Sequence, residues 1–175
     1  MIDFSQDYFT LFGLPPRYRF DPAQLDAAYH ALQRAVHPDR HAAAGETERR
    51  LALQSSARVN QAYQALKDPI GRAVYLLSLR GVDALAETDT ALPLQFLQRE
   101  LERREAMAEA QAGMDPHGLA ALLGEVHADA AALETALADH LDREAWPAAR
   151  DAVRELRFLT KVAADLETAI AEVED

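Results

Sequence analysis

Asp21-Pro22-Ala23-Gln24-Leu25-Asp26-Ala27-Ala28-Tyr29-His30-Ala31-Leu32-Gln33-Arg34-Ala35-Val36-His37-Pro38-Asp39-Arg40 is the stretch on which the fold turns. Asp21 is an N-cap and Pro22 suits the first helical position, where a missing N–H does no harm. Leu25, Tyr29, Leu32 and Val36 then recur at steps of four, three and four, which lays them along one face of a helix. Pro38 ends that helix and restricts His37 to extended conformations. An imidazole and a carboxylate, His37 and Asp39, are thereby held on a stiff corner. His30 and Arg34 sit one turn apart on the side away from Leu25 and Tyr29. They give a small basic surface beside a rigid polar tip, suited to an acidic partner. In isolation, Pro-Asp in a loop is ordinary turn chemistry.

Working outward, helix signals recur and strand signals barely appear. Upstream, Asp7-Tyr8-Phe9-Thr10-Leu11-Phe12 followed by Gly13 predicts a short helix, with Pro15-Pro16 extended beyond it. Tyr8 and Phe9 are expected to pack on the core residues Tyr29, Val36 and Tyr63. Downstream, a helix is predicted from about Glu46 to Lys67, with Val59, Ala62, Tyr63 and Leu66 as its apolar stripe. Asp68-Pro69 closes it, and a short helix covers about Ile70 to Leu79. Three longer helices follow. One runs from Pro93 to Gly113, one opens on Asp115-Pro116, and one begins around Trp146-Pro147, with Trp146 at the corner of the core. Short turns between long helices favour antiparallel neighbours. The expected fold is all-α: a helical module over 1–79, a polar connection over 80–92 and an antiparallel three-helix bundle over 93–175.

Charge divides along the same line. Residues 1–80 carry ten Lys and Arg against eight Asp and Glu, whereas 81–175 carry eight against twenty-one. The net charge of −11 argues against nucleic acid and anionic membrane as partners, since both would repel it. No apolar run approaches the roughly 18 residues needed to cross a bilayer, and the first residues lack a secretory pattern. With no cysteine in 175 residues, there is no disulfide framework, thiol nucleophile or Cys-ligated metal. A cytoplasmic location is expected.

Together, the short helix bearing Tyr8, Phe9, Leu11 and Leu14, the helix pair flanking His37-Pro38-Asp39, and the run Asn60-Gln61-Ala62-Tyr63-Gln64-Ala65-Leu66-Lys67-Asp68-Pro69 resemble a J-domain. That likeness covers about the first 76 residues. It implies two antiparallel helices with the His-Pro-Asp loop at their tip, and a co-chaperone that stimulates ATP hydrolysis by a DnaK-class chaperone. Arg40 stands where the family often has Lys. No Gly/Phe-rich linker or Cys-rich repeat follows. Instead Arg72-Ala73-Val74-Tyr75-Leu76-Leu77-Ser78-Leu79 leads to an acidic bundle containing Val153-Arg154-Glu155-Leu156-Arg157-Phe158-Leu159. With Phe9-Thr10-Leu11-Phe12-Gly13-Leu14-Pro15, this extends the resemblance over the whole chain to the HscB type of J-protein, dedicated to iron–sulfur cluster biogenesis.

The first bundle helix carries a second candidate surface. At about 100° per residue, Phe96 and Met107 lie together, while Leu94, Leu97 and Leu101 cluster nearly opposite, beside Gln98, Glu102, Glu105 and Glu109. Either a neighbouring module covers one side, or an apolar patch with an acidic rim stays exposed for a partner. Phe158 stands well off the apolar stripe of its helix, where a bulky aromatic often anchors an interface. The HscB resemblance places scaffold-binding positions at Leu97, Gln98, Leu101, Glu102, Glu105, Glu109 and Phe158. Gln98 departs from the apolar Met of some relatives. The implied partners are an IscU-type scaffold protein and an HscA-type ATPase chaperone contacted through His30, Arg34, His37, Pro38, Asp39 and Arg40.

A metal site and an intrinsic enzyme fit less well. Pro38 interrupts the helix between His37 and His41, no His-Glu-x-x-His occurs, and Glu125 precedes His127 at the wrong offset for a di-iron bundle. Neither a Gly-x-Ser-x-Gly nor a phosphate-cradling glycine loop is present. No catalytic residue, metal or cofactor is therefore expected. A helical interaction protein with an inactive J-like turn is the alternative reading.

Overall fold

In a computed structural model, residues 3–36, 45–86 and 91–174 are described. Among them are seven helices and no strand: α1 Tyr8–Leu11, α2 Pro22–Val36, α3 Glu46–Lys67, α4 Pro69–Ser78, α5 Leu94–Ala112, α6 Pro116–Asp142 and α7 Trp146–Glu174. The fold is all-α, as the periodicity predicts. The chain divides into two compact units, Met1–Leu76 and Leu77–Asp175.

In the first unit, α2 and α3 form an antiparallel pair whose alignment is set by polar contacts above an apolar seam. The Tyr63 hydroxyl donates to Asp26 at 2.8 Å, and the Tyr29 hydroxyl donates to Asn60 Oδ1 at 3.0 Å. Gln33 Nε2 donates to both the Tyr29 hydroxyl and Asn60, at 2.7 and 2.9 Å. Pairing Asp26 with Tyr63 and Gln33 with Asn60 requires the helices to run in opposite directions. The Tyr29 and Tyr63 rings stack at 3.9 Å. Leu25, Val59, Ala62 and Leu66 are buried, as their spacing implies.

Asp7 caps α1 by accepting from the Phe9 and Thr10 amides at 2.9 and 3.0 Å. The ring partners of Tyr8 and Phe9 differ from the expectation. Tyr8 stacks on Tyr75 at 4.1 Å, and Phe9 meets Tyr75 and Phe20 at 6.0 and 6.3 Å. The Tyr75 hydroxyl also accepts the otherwise orphaned amide of Tyr8 at 2.9 Å, so α4 ties the short helix down at its start. Arg72 completes this corner. Its guanidinium donates to the carbonyls of Leu66 and Tyr18 at 2.7 and 2.9 Å and lies 4.3 Å from the Phe20 ring centre.

In the second unit, three-residue turns join α5 to α6 and α6 to α7. With 27 residues, α6 is about 40 Å long. So short a turn cannot return the chain along that length, and successive helices must be antiparallel. Asp115 caps α6 by accepting the Gly118 amide at 2.9 Å, with Pro116 in the first turn. A Cβ at Gly118 would press on Asp115 Oδ2, so the capping carboxylate would have to shift to admit a side chain there. Phe96, Leu119, Val126, Leu159, Leu166 and Ala169 form one buried cluster joining all three helices. Trp146 is half-buried at the start of α7, with the Arg80 guanidinium 5.2 Å from its ring centre.

Candidate functional site

Two surfaces carry the residues singled out from the sequence. On α2, His30 and Arg34 are both exposed, one turn apart, on the side away from buried Leu25. The His30 ring lies 5.4 Å from that of Tyr29, so the α2–α3 contact supports the base of this surface. His37, Pro38, Asp39 and Arg40 lie outside the described residues, immediately beyond Val36 at the end of α2.

The second surface is the outer face of α5. Leu94, Leu97 and Leu101 are 71%, 42% and 59% exposed, which is unusual for three leucines on one helix. Gln98, Glu102, Glu105 and Glu109 are exposed beside them. Phe96, on the inner side, is buried and Met107 half-buried, both in the bundle core. Phe158 of α7 packs edge-on against Phe96 at 5.5 Å and remains 36% exposed. It therefore stands beside α5, one face fixed by Phe96 and the other open. The arrangement offers aliphatic and aromatic contact area with four flanking polar or acidic groups, the composition common at the core and rim of protein interfaces. Among the described residues, no three His, Cys, Asp or Glu side chains group so as to hold a metal ion.

The inner face of α5 holds what sequence reasoning missed. Glu100 and Arg103 are buried, with side chains only 5% and 9% exposed. Arg103 forms an ion pair with Glu100 on its own helix and donates through Nη2 to Asp129 Oδ2 of α6 at 2.6 Å. Burial alone would lower the Arg103 pKa, but its hydrogen bonds to Asp129 and Glu100 outweigh that and raise it. The signal was present as spacing, since Phe96, Glu100, Arg103, Met107 and Ala110 recur at four, three, four and three. On α7, burial pushes the Glu155 carboxyl upward; the nearby Arg99 charge pulls it down and Asp151 adds to the rise.

Known proteins share this architecture from end to end. The chain is 44% identical over 174 residues to the co-chaperone protein HscB homolog of Burkholderia multivorans, which spans 99% of each. The solved structure of the chaperone HscB from Vibrio cholerae matches at a TM-score of 0.84 and 36% identity, covering 96% of this chain and 99% of that one. The crystal structure of the human co-chaperone protein HscB matches at a TM-score of 0.86 and 28% identity, covering 95% and 83%. Residues 92–167 match the family model described as the HSCB C-terminal oligomerisation domain. A full-length likeness of this kind, in an all-helical chain, defines a co-chaperone. The chain belongs to the HscB family.

Among the described residues, no helix is long and apolar enough to cross a membrane.

Proposed function

We propose that the chain is an adaptor of iron–sulfur cluster biogenesis with no reaction of its own. Its second unit holds an IscU-type cluster scaffold protein on the outer face of α5, through Leu97, Gln98, Leu101, Glu102, Glu105 and Glu109, with Phe158 as the anchor from α7. The first unit meets a DnaK-class chaperone of the HscA type through His30, Arg34, His37, Pro38, Asp39 and Arg40, and stimulates its ATPase to promote cluster assembly or transfer. Asp39 and His37 act on the polar contacts that restrain ATP hydrolysis, while Arg34 and its neighbours steer the encounter. Two sites on one chain raise the effective concentration of scaffold near chaperone. The net charge of −11 disfavours nucleic acid and anionic membrane as further partners, and the cytoplasm is the proposed compartment.

The observation that supports this reading best is the exposure of Leu97 and Leu101 beside an acidic rim on the helix whose Phe96 holds half-open Phe158. Steady-state ATPase of the chaperone, measured with and without scaffold protein, is the test. The full chain raises the rate, and scaffold raises it further. Asp39→Asn abolishes stimulation while changing folding stability by no more than about 0.5 kcal/mol, the usual limit for an exposed polar swap. Stimulation that survives this substitution makes the proposed trigger wrong, and a full chain that gives no stimulation favours a helical interaction protein with an inactive J-like turn.

A further inference from the structure

The seam that α5 presents to its neighbours is apolar only at its ends. Phe96, Met107 and Ala110 join the bundle cluster, whereas the two middle positions are the buried Glu100 and Arg103. Charged pairs at such positions seldom add stability, because desolvation offsets their attraction, and apolar replacements of similar volume often match or exceed them. This network is also incompletely satisfied: Glu100 Oε2 and Arg103 Nε have no hydrogen-bond partner within the protein. Some other requirement must keep these charges in the seam.

The opposite face of the same helix supplies that requirement. Leu94, Leu97 and Leu101 make the outer side of α5 more apolar than the middle of its native seam. Burying those leucines would favour a roll of the helix that brings them inward, offset in part by the exposure of Phe96 and Met107. On the α7 side the edge-on Phe96–Phe158 contact at 5.5 Å is the point of ring packing, and beside it a cleft of about 540 Å³, lined by Glu100, Arg103, Met107, Phe158 and Val162, leaves room for such a roll. Beyond the packing of Phe96, what opposes it is directional. Arg103 reaches across to Asp129 of α6 at 2.6 Å, and turning α5 would strand the charges of the cluster.

We propose that the buried Glu100–Arg103–Asp129 cluster fixes the rotation of α5 against a competing, leucine-inward packing, so that Arg103 is a positioning residue for the docking face. The assignment rests on the reading of α5 as the scaffold-docking helix. The cluster touches no partner. It acts by keeping Leu97 and Leu101 available, at the expense of a seam that is less apolar than it could be.

The test is the full-length Glu100→Leu/Arg103→Met double variant, which removes both seam charges together and leaves half-exposed Asp129 to solvent. Its melting temperature equals or exceeds that of the parent. The Phe96–Phe158 ring contact weakens in nuclear Overhauser spectra, and the Leu97 and Leu101 methyls lose accessibility to a paramagnetic solvent probe. Affinity for an IscU-type scaffold falls at least tenfold. An intact ring contact with unchanged methyl accessibility overturns the proposal, as does a melting temperature lowered by more than about 5 °C, which would make the pair an ordinary stability element. A Leu97→Ala/Leu101→Ala variant measured in parallel separates the two ideas. If it binds scaffold as the parent does, the docking reading falls. If it binds poorly while the double variant binds normally, the positioning role falls and the docking reading stands.

Discussion

Met114 and Glu144 close the two turns of the bundle with φ of 50° and 56°, a left-handed conformation that costs a side-chain-bearing residue about 1–2 kcal/mol. Each allows the next amide to cap the preceding helix, Asp115 N–H to Ala110 at 2.9 Å and Ala145 N–H to His140 at 2.8 Å. Glycine is the usual solution at such a place. Glu144→Gly is expected to raise unfolding free energy by about 0.5–1 kcal/mol, the strain relieved less the added chain entropy of glycine, as read from urea denaturation. Glu155 gives a pH-dependent case. Burial raises its folded-state pKa above the ordinary 4.5, so the folded protein binds a proton there more readily than the unfolded chain. Its ionisation therefore opposes folding at neutral pH, and that penalty fades as pH falls through the raised folded value toward the ordinary one. Glu155→Gln should stabilise the protein at pH 7 and lose its advantage near pH 4.5, in denaturation curves taken at both. Equal gains at the two pH values would assign the effect to packing instead.

At the scale of helices, α5 shows what periodicity reveals and what it conceals. The outer ridge was legible because three leucines share an angular sector with the glutamates, and no single seam can cover both sides of a helix. Glu100 and Arg103 were not, because a charged residue reads as solvent-facing unless its partner across the seam is known. Asp129 lies 26 residues beyond Arg103. Helix starts were easier. Asp21-Pro22 and Asp115-Pro116 announce themselves locally, and the Ala23 amide does donate to Asp21 at 2.9 Å. The ring partners of Tyr8 and Phe9 were missed for the same reason as the ion pair, since Tyr75 is 67 residues from Tyr8. The docking role proposed for this ridge carries its own prediction at this scale. Replacing Leu97 and Phe158 together by Ala should weaken scaffold binding by at least about 1 kcal/mol per residue in calorimetric titration, with the chaperone's basal stimulation retained. Unchanged affinity would return both residues to ordinary surface.

Over the whole molecule, composition alone separates a nearly balanced first part from a strongly acidic second one. The exposed His30 and Arg34 on α2 and the acidic rim on α5 therefore belong to stretches of different charge, which suits the two partners proposed above. The all-α class was equally legible, since helical periodicity runs through nearly every segment. The His-Pro-Asp turn was recognised from sequence, and its geometry lies outside the described residues.

The aromatic inventory has a practical consequence for spectroscopy. All five tyrosines, Tyr8, Tyr18, Tyr29, Tyr63 and Tyr75, fall in the first unit, while the single tryptophan, Trp146 under Arg80, belongs to the second. Excitation at the red edge of indole absorption therefore follows melting of the bundle alone, whereas phenol absorbance follows the other half. One unlabelled sample, scanned at two wavelengths, reveals whether the halves melt as one cooperative transition or as two.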